Sequence, residues 1–399
     1  MHINFNLFQN RNFMKMVIGD FISDIGSGIR TVALPLYTFE TTNSYLMTAL
    51  MAIAGVFPQI AFSSRAGSIA DRHDRKNIMV ICNFYRALLS ILFLLFINKI
   101  GIELIFCFNF FMSLGNIFYN PPSQAILPEL VDNEELTDAN SISSFLNNTA
   151  LLAGPALGGI MALKNAILVD GLSFFIAGFL IFSMKYKSEF IADKVKNSFK
   201  DNVNITLNIL KENHLLKIII YMTLIMSFAF GLVPAIMPGY VTNVLGFPTA
   251  FYGGSLSLMT FGGLIGSIIT PILKKKLKDI NLFILGYVVY GIIYLGYFLS
   301  SFNPNLALVT LLFIFQGISM PIMGIGSISL QQKLIPKDKM GRFFGTMGTI
   351  QASLALLARL FSGVAADYIS PSFILIFAFS IMIIGSIWGV FLCKSECIK

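Results

Sequence analysis

The sequence predicts an all-α membrane protein: twelve transmembrane helices in two six-helix bundles, with both termini in the cytoplasm. Three observations lead there. The hydrophobic fraction is 56%, the charged fraction 12% and the mean hydropathy +0.77, more apolar surface than a soluble fold can bury. Apolar runs recur along the whole chain, each near the ~20 residues that a crossing helix needs. Lysine and arginine gather on alternate connecting segments.

In chain order the apolar runs fall at 13–39, 45–66, 77–98, 102–124, 140–163, 166–184, 215–243, 250–273, 281–300, 305–328, 342–367 and 371–393. The longest polar stretch, Lys185–Asn213, divides them into two sets of six. Within it Val203, Leu207 and Leu210 recur at helical spacing, as in a short amphipathic helix. The expected organisation is an N-terminal bundle over 1–184, a cytoplasmic linker over 185–214 and a C-terminal bundle over 215–399. The opening residues, MHINFNLFQNRNFMKM, are too polar for a signal peptide and lead straight into the first span. With both ends inside, cytoplasmic segments hold 23 lysines and arginines and external loops hold two, Lys99 and Lys164. Three more (Arg30, Arg86 and Arg359) lie within spans. That asymmetry sets the orientation.

Several function classes are disfavoured on the same grounds. The net charge of +8 sits in short loops between apolar runs, not on one face of a polar domain, so no nucleic-acid partner is expected. Cys82, Cys107, Cys393 and Cys397 show no CxxC spacing, and no metal or disulfide role is expected of them. The three histidines (His2, His73 and His214) lie outside the spans and form no HExxH motif. With no metal-ligand cluster either, neither an enzyme nor a cofactor is expected, and the lack of a GxxxxGK[ST] loop argues against ATP as the energy source. A monomer in the bilayer is the expected state.

The connection after the second run, Gly67-Ser-Ile-Ala-Asp71-Arg72-His-Asp74-Arg75-Lys76, is a glycine-led cluster of alternating charges clamped between apolar runs. A plain hairpin would need only the positive charges, so the glycine and the two carboxylates at fixed offsets point to a loop that packs and pairs with something else. The spacing resembles the signature loop between the second and third helices of the major facilitator superfamily. One departure is Asp74, where the family usually has glycine. In the fifth run, Gly154-Pro155-Ala156-Leu157-Gly158-Gly159 resembles the GPxxGG core of the motif in proton-coupled drug exporters of that superfamily, with Ser141 and Ala150 in place of upstream glycines. Proline removes a backbone hydrogen bond and glycines allow close helix approach, which generic helix packing also uses.

Tyr119-Asn-Pro-Pro-Ser-Gln-Ala-Ile-Leu-Pro128-Glu-Leu-Val, then Leu136-Thr-Asp-Ala-Asn140, narrows the likeness to the subgroup containing macrolide-efflux proteins and the enterobactin exporter. Leu334-Ile-Pro336 and Gly341-Arg342 fit the same subgroup in the second half. Ala125-Ile-Leu-Pro128-Glu and Lys333-Leu-Ile-Pro336-Lys occupy equivalent places in the two halves, as do the 67–76 cluster and the lysine-rich 266–279 stretch. The resemblance implies two six-helix halves with the substrate site between them. It also implies secondary active transport of a small amphipathic compound, by proton exchange and alternating access, in a bacterial cell membrane. Lysophospholipid flipping and uptake by symport are the alternatives within transport; a membrane enzyme or a non-transporting sensor is the alternative outside it.

Ionisable groups inside spans are costly and functional by default. Asp20 and Asp24 share one helix face, four residues apart. Counting ~1.5 Å per residue, Asp24 lies about 16 Å deep and Arg86 about 13 Å deep, so the two are expected to pair and to compete with a proton. A static ion pair that orders the bundle is the plain alternative. Asp170 and Asp367 are weaker candidates, with Asp170 capping or pairing locally and Arg359 in reach of Asp367. Drug exporters of the superfamily often carry an arginine in the fourth span; Phe106 to Ser123 has none, which makes Arg86 its expected substitute. Candidates for an apolar substrate cavity are Tyr37, Phe118, Tyr119, Phe230, Tyr240 and Phe315.

Overall fold

The computed structural model describes residues 5–97, 101–132, 135–186, 199–336 and 339–396. Among them are thirteen α-helices and no strand. In order these are α1 (Arg11–Thr42), α2 (Tyr45–Arg72), α3 (Arg75–Phe96), α4 (Ile102–Leu130), α5 (Leu136–Ile160), α6 (Leu163–Phe182), α7 (Phe199–Glu212), α8 (His214–Gly239), α9 (Thr249–Lys274), α10 (Asp279–Ser300), α11 (Leu306–Leu334), α12 (Met340–Tyr368) and α13 (Pro371–Glu396). Backbone polar groups in hydrocarbon must be satisfied within the segment, and helices do this for any apolar run. Helix therefore continues through Pro35, Pro58 and Pro155, where a soluble helix would stop.

Ten of the helices are long and apolar enough to cross a membrane. The other two of spanning length are α1, with 32 residues, and α5, with 25. Asp20, Asp24 and Arg30 interrupt α1; Asn140, Asn147 and Asn148 interrupt α5. The amphipathic helix expected in the linker is α7; of its expected stripe, Leu210 packs against an apolar cluster and Val203 is partly buried, but Leu207 is not. Ile209 is buried in one cluster with Phe343 and Met347, Thr206 is also buried, and Leu207 is exposed.

The chain forms two compact units. The first comprises Met1–Thr42, Leu50–Lys194 and Thr249–Ser257; the second comprises Asn43–Ala49, Val195–Pro248 and Leu258–Lys399. In the first, α1 packs against α5 and α6, and α3 against α4 and α6. Its apolar side chains form two clusters rather than one. One gathers Phe13, Val17, Met79, Cys82, Ile126 and Ile181; the other gathers Ile29, Ala33, Ala87, Phe93, Phe108, Met112 and Phe174. Along both α1 and α3 the charged positions (Asp20, Asp24, Arg86) fall between these clusters, so a polar layer is sandwiched between two apolar ones.

In the second unit, α8 packs on α12 and α13, and α10 on α11 and α13. Tyr287, Tyr290, Tyr294 and Tyr297 recur along one face of α10 and are all nearly inaccessible. Their hydroxyls are satisfied internally: Tyr287 donates to the carbonyl of Met222 (2.8 Å) and Tyr297 to Oε1 of Gln316 (2.8 Å), whose Nε2 donates to Tyr290 (2.7 Å). Buried Tyr and Gln are tolerated here because each polar atom has a partner.

Candidate functional site

The polar layer of the first unit opens into a cavity of about 680 Å³. Four helices build it. α1 supplies Asp20 and Asp24; α3 supplies Arg86; α4 supplies Asn116, Tyr119, Asn120 and Ser123; α5 supplies Asn140, Ser143, Ser144 and Asn147. The α4 and α5 sets each follow the i, i+3, i+4, i+7 spacing of one helix face. Two polar stripes thus face the two carboxylates of α1.

Each carboxylate has its own neutral donor. The Tyr119 hydroxyl donates to Asp20 Oδ1, and Ser123 Oγ lies 3.5 Å from Oδ2. Asn147 Nδ2 donates to Asp24 Oδ2 at 3.0 Å. Arg86 is 4% exposed; it donates to Asn83 Oδ1 (2.7 Å) and to the carbonyl of Cys82 (3.3 Å) on its own helix. Its guanidinium carbon sits 4.0 Å from the Phe174 ring centre and 4.8 Å from that of Tyr119. Aromatic faces stabilise a desolvated guanidinium. Its stem lies on Gly115, where an added Cβ would stand 2.7 Å from Arg86 Cγ. Asp20, Asp24 and Arg86 line one cavity, and in place of the expected Asp24–Arg86 pair the hydrogen bonds of Asp24 and Arg86 go to Asn147 and Asn83.

A second ionic group lies in the same unit. Arg30 Nε meets Asp170 Oδ2 at 2.8 Å, Arg30 Nη1 donates to Asn109 Oδ1 (3.2 Å), and Asn109 Nδ2 donates to the Met51 carbonyl (2.9 Å). Asp170 is completely buried. The expected local partner of Asp170 is instead an arginine 140 positions away, and α1, α2, α4 and α6 are joined through four polar groups.

The GPxxGG stretch is a contact surface. An added Cβ at Gly154 would meet the Gly28 Cα at 2.8 Å, at Gly158 the Ile29 carbonyl at 2.5 Å, and at Gly159 the Gly253 Cα at 2.8 Å. Backbone lies against backbone along α5, which only glycine permits. Pro155 flanks the same contact, its Cδ 3.3 Å from a Cβ built at Gly28.

In the charged connection, helix α2 runs on to Arg72, so the break is His73–Asp74 alone. Asp74 caps α3, accepting from the Asn77 amide at 3.0 Å. Arg75 pairs with Glu129 and donates to the Ala125 carbonyl (3.3 Å), and Lys76 reaches the Met184 carbonyl at 2.5 Å. Gly67, Asp71 and Arg72 lie outside the residues whose surroundings are described. Asp367 accepts from the Tyr45 amide and the Ser44 hydroxyl, each at 2.6 Å, and so caps α2.

Of the aromatic candidates, only Tyr119 lines the polar cavity. Phe118 lines a separate apolar groove with Ile81, Tyr85 and Leu114, and Tyr37 packs at the edge of an apolar cluster. Tyr240 is fully buried in the second unit and bonded to the Tyr297 carbonyl, and Phe230 packs edge-on against Tyr290 at 4.5 Å. Phe315 is half exposed on the surface of α11. Composition supplied these aromatics without their helix rotation, and packing decided which of them face a cavity.

A family model for the Major Facilitator Superfamily matches residues 16–358. The chain belongs to that superfamily. It is a multi-pass membrane transporter and not an enzyme. The MFS-type transporter YkuC of Bacillus subtilis (strain 168) is 26% identical over 386 residues, covering 89% of this chain and 87% of its own. Macrolide efflux protein A of Streptococcus pyogenes is 24% identical, with 90% of each chain covered. The Staphyloferrin A transporter of Staphylococcus aureus (strain NCTC 8325 / PS 47) is 25% identical, covering 74% of this chain and 76% of its own. Among solved structures, a variant of the nucleoside transporter NupG superposes with a TM-score of 0.82 at 11% identity, over 96% of this chain and 99% of its own. That likeness shows the fold.

Proposed function

We propose that this superfamily member is a proton-coupled exporter of a small amphipathic compound, macrolide-like, siderophore-like or another drug, working by alternating access. The observation that carries the reading is the 680 Å³ cavity, in which two carboxylates and a guanidinium face neutral hydrogen-bonding side chains inside helices of membrane-spanning length. Charged groups at that depth are kept for transport pathways and proton relays. The volume suits an organic solute. Efflux is favoured over uptake by the macrolide-efflux relatives and by the close-packed GPxxGG face of α5.

Twelve crossings, with α1 and α5 as the two polar ones, put both termini in the cytoplasm, and the two bundles over 1–184 and 215–399 are joined by the linker over 185–214. The membrane is the bacterial cytoplasmic membrane and the working form a monomer. In this scheme Asp24 and Asp20 exchange the proton, Arg86 sets the charge of the cavity, and the 67–76 connection with Arg75–Glu129 participates in closure. The test is accumulation of erythromycin, ethidium and a ferric siderophore in cells expressing the protein, with and without an uncoupler. Lower accumulation of at least one compound, abolished by the uncoupler, is expected. Equal accumulation of all three compounds with and without the protein would contradict export of this class.

A further inference from the structure

The lysine-rich counterpart of the charged hairpin, between α9 and α10, plays no part in the cavity of the first unit, yet it lines a depression of about 730 Å³ in the second unit. The C-terminal ends of α9 and α11 and the starts of α8 and α10 meet there, so it lies at one end of the helix bundle. Five lysines approach it: Lys274, Lys275, Lys276, Lys278 and Lys333. Among the described residues that line it, one carboxylate offsets them. Asp279, itself buried, meets Lys274 at 3.3 Å and Lys333 at 2.5 Å. Lys275, Lys276 and Lys278 are exposed at the rim. Helix α10 begins beside them with no side-chain cap, and Asp279, its first residue, is already engaged by Lys274 and Lys333. The wall below is apolar, formed by Leu215, Ile280 and Leu330.

We propose that this depression binds one diacyl phospholipid with an anionic headgroup. The phosphate lies against Lys275, Lys276 and Lys278, and an acyl chain follows Leu215 and Leu330 toward the hydrocarbon. Charge and place together select this occupant: a surplus of cations at the end of spanning helices faces the headgroup region, where each lysine draws anionic lipid. A soluble anion would gain nothing from the apolar wall. The site does not depend on the proton coupling or on the substrate proposed above.

The test uses the full chain reconstituted in vesicles of equal parts phosphatidylglycerol and phosphatidylcholine, extracted in mild detergent, with retained phospholipid identified by mass spectrometry. Wild type is expected to retain phosphatidylglycerol in about tenfold excess. The triple variant Lys275→Gln/Lys276→Gln/Lys278→Gln, which spares the Asp279 pairs, is expected to lose that excess, and the corresponding triple arginine variant to keep it. Neutralising Lys164, in the first unit, is expected to leave it unchanged. Equal retention of both lipids by wild type, or an undiminished excess in the glutamine variant, would overturn the proposal. So would displacement of phosphatidylglycerol by inorganic phosphate or glycerol phosphate as effective as displacement by the intact lipid, which would mark an anion site with no role for the chain.

Discussion

At the scale of single residues, the decisive feature is how each intramembrane charge is neutralised. Asp20 and Asp24 are held by neutral donors, Tyr119 and Asn147, which can hydrogen-bond a carboxyl group whether or not it carries a proton. Asp170 is held by Arg30, a permanent cation. The two arrangements suit different tasks: the first permits protonation to change, the second fixes a charge pair. Removing one member of a buried pair strands the other, whereas replacing both by apolar groups is far milder. Asp170→Leu is therefore expected to cost about 3–5 kcal/mol of folded-state stability, and Arg30→Met/Asp170→Leu to recover most of it. Thermal unfolding in detergent measures both. A double variant no more stable than Asp170→Leu would show that the pair is not what binds these helices. Asp74 is explained at this scale too. It occupies an N-cap, a position where aspartate and glycine are both accepted, so its departure from the usual glycine keeps the local fold.

At the scale of helices, α5 joins two roles. One face carries the stripe Asn140, Ser143, Ser144 and Asn147 toward the cavity; farther along, Gly154, Gly158 and Gly159 bring backbone against α1 and α9. An added methyl at Gly158 would stand 2.5 Å from the Ile29 carbonyl, so α1 and α5 must separate even for alanine. Gly254, where a Cβ meets nothing within 4 Å, is the matched control. Gly158→Ala is expected to lower transport several-fold with the Gly254→Ala rate unchanged, measured as efflux per unit of membrane-inserted protein on a blot. Equal rates for the two variants would contradict a tight α1–α5 contact. Helices were legible because spanning runs have one backbone solution in lipid. The α4 and α5 stripes are also visible as spacing in the sequence. What spacing cannot supply is rotation: Tyr119 reads as one more aromatic until packing turns it toward Asp20, 99 positions away. The same holds for Arg30 and Asp170, whose pairing needs α1 and α6 side by side. Leu207 shows the converse, a residue on a plausible stripe of α7 that packing left exposed.

At the scale of the whole molecule, the proposed coupling requires proton and solute to act on one site, and the cavity of the first unit is the site proposed for both. Two apolar clusters bound the polar layer along α1 and α3, with Asp20, Asp24 and Arg86 between them. Asparagine at position 24 keeps the size of the carboxylate, and its carbonyl can still accept from Asn147, but an amide donor replaces the second oxygen and no proton can be taken up or released. The most direct measurement reconstitutes wild type and Asp24→Asn in vesicles and follows transport of the compound found by the accumulation assay, once under an imposed pH gradient and once as exchange between equal concentrations. The account predicts that Asp24→Asn loses gradient-driven transport and retains exchange. Gradient-driven transport at the wild-type rate by well-inserted Asp24→Asn would contradict it.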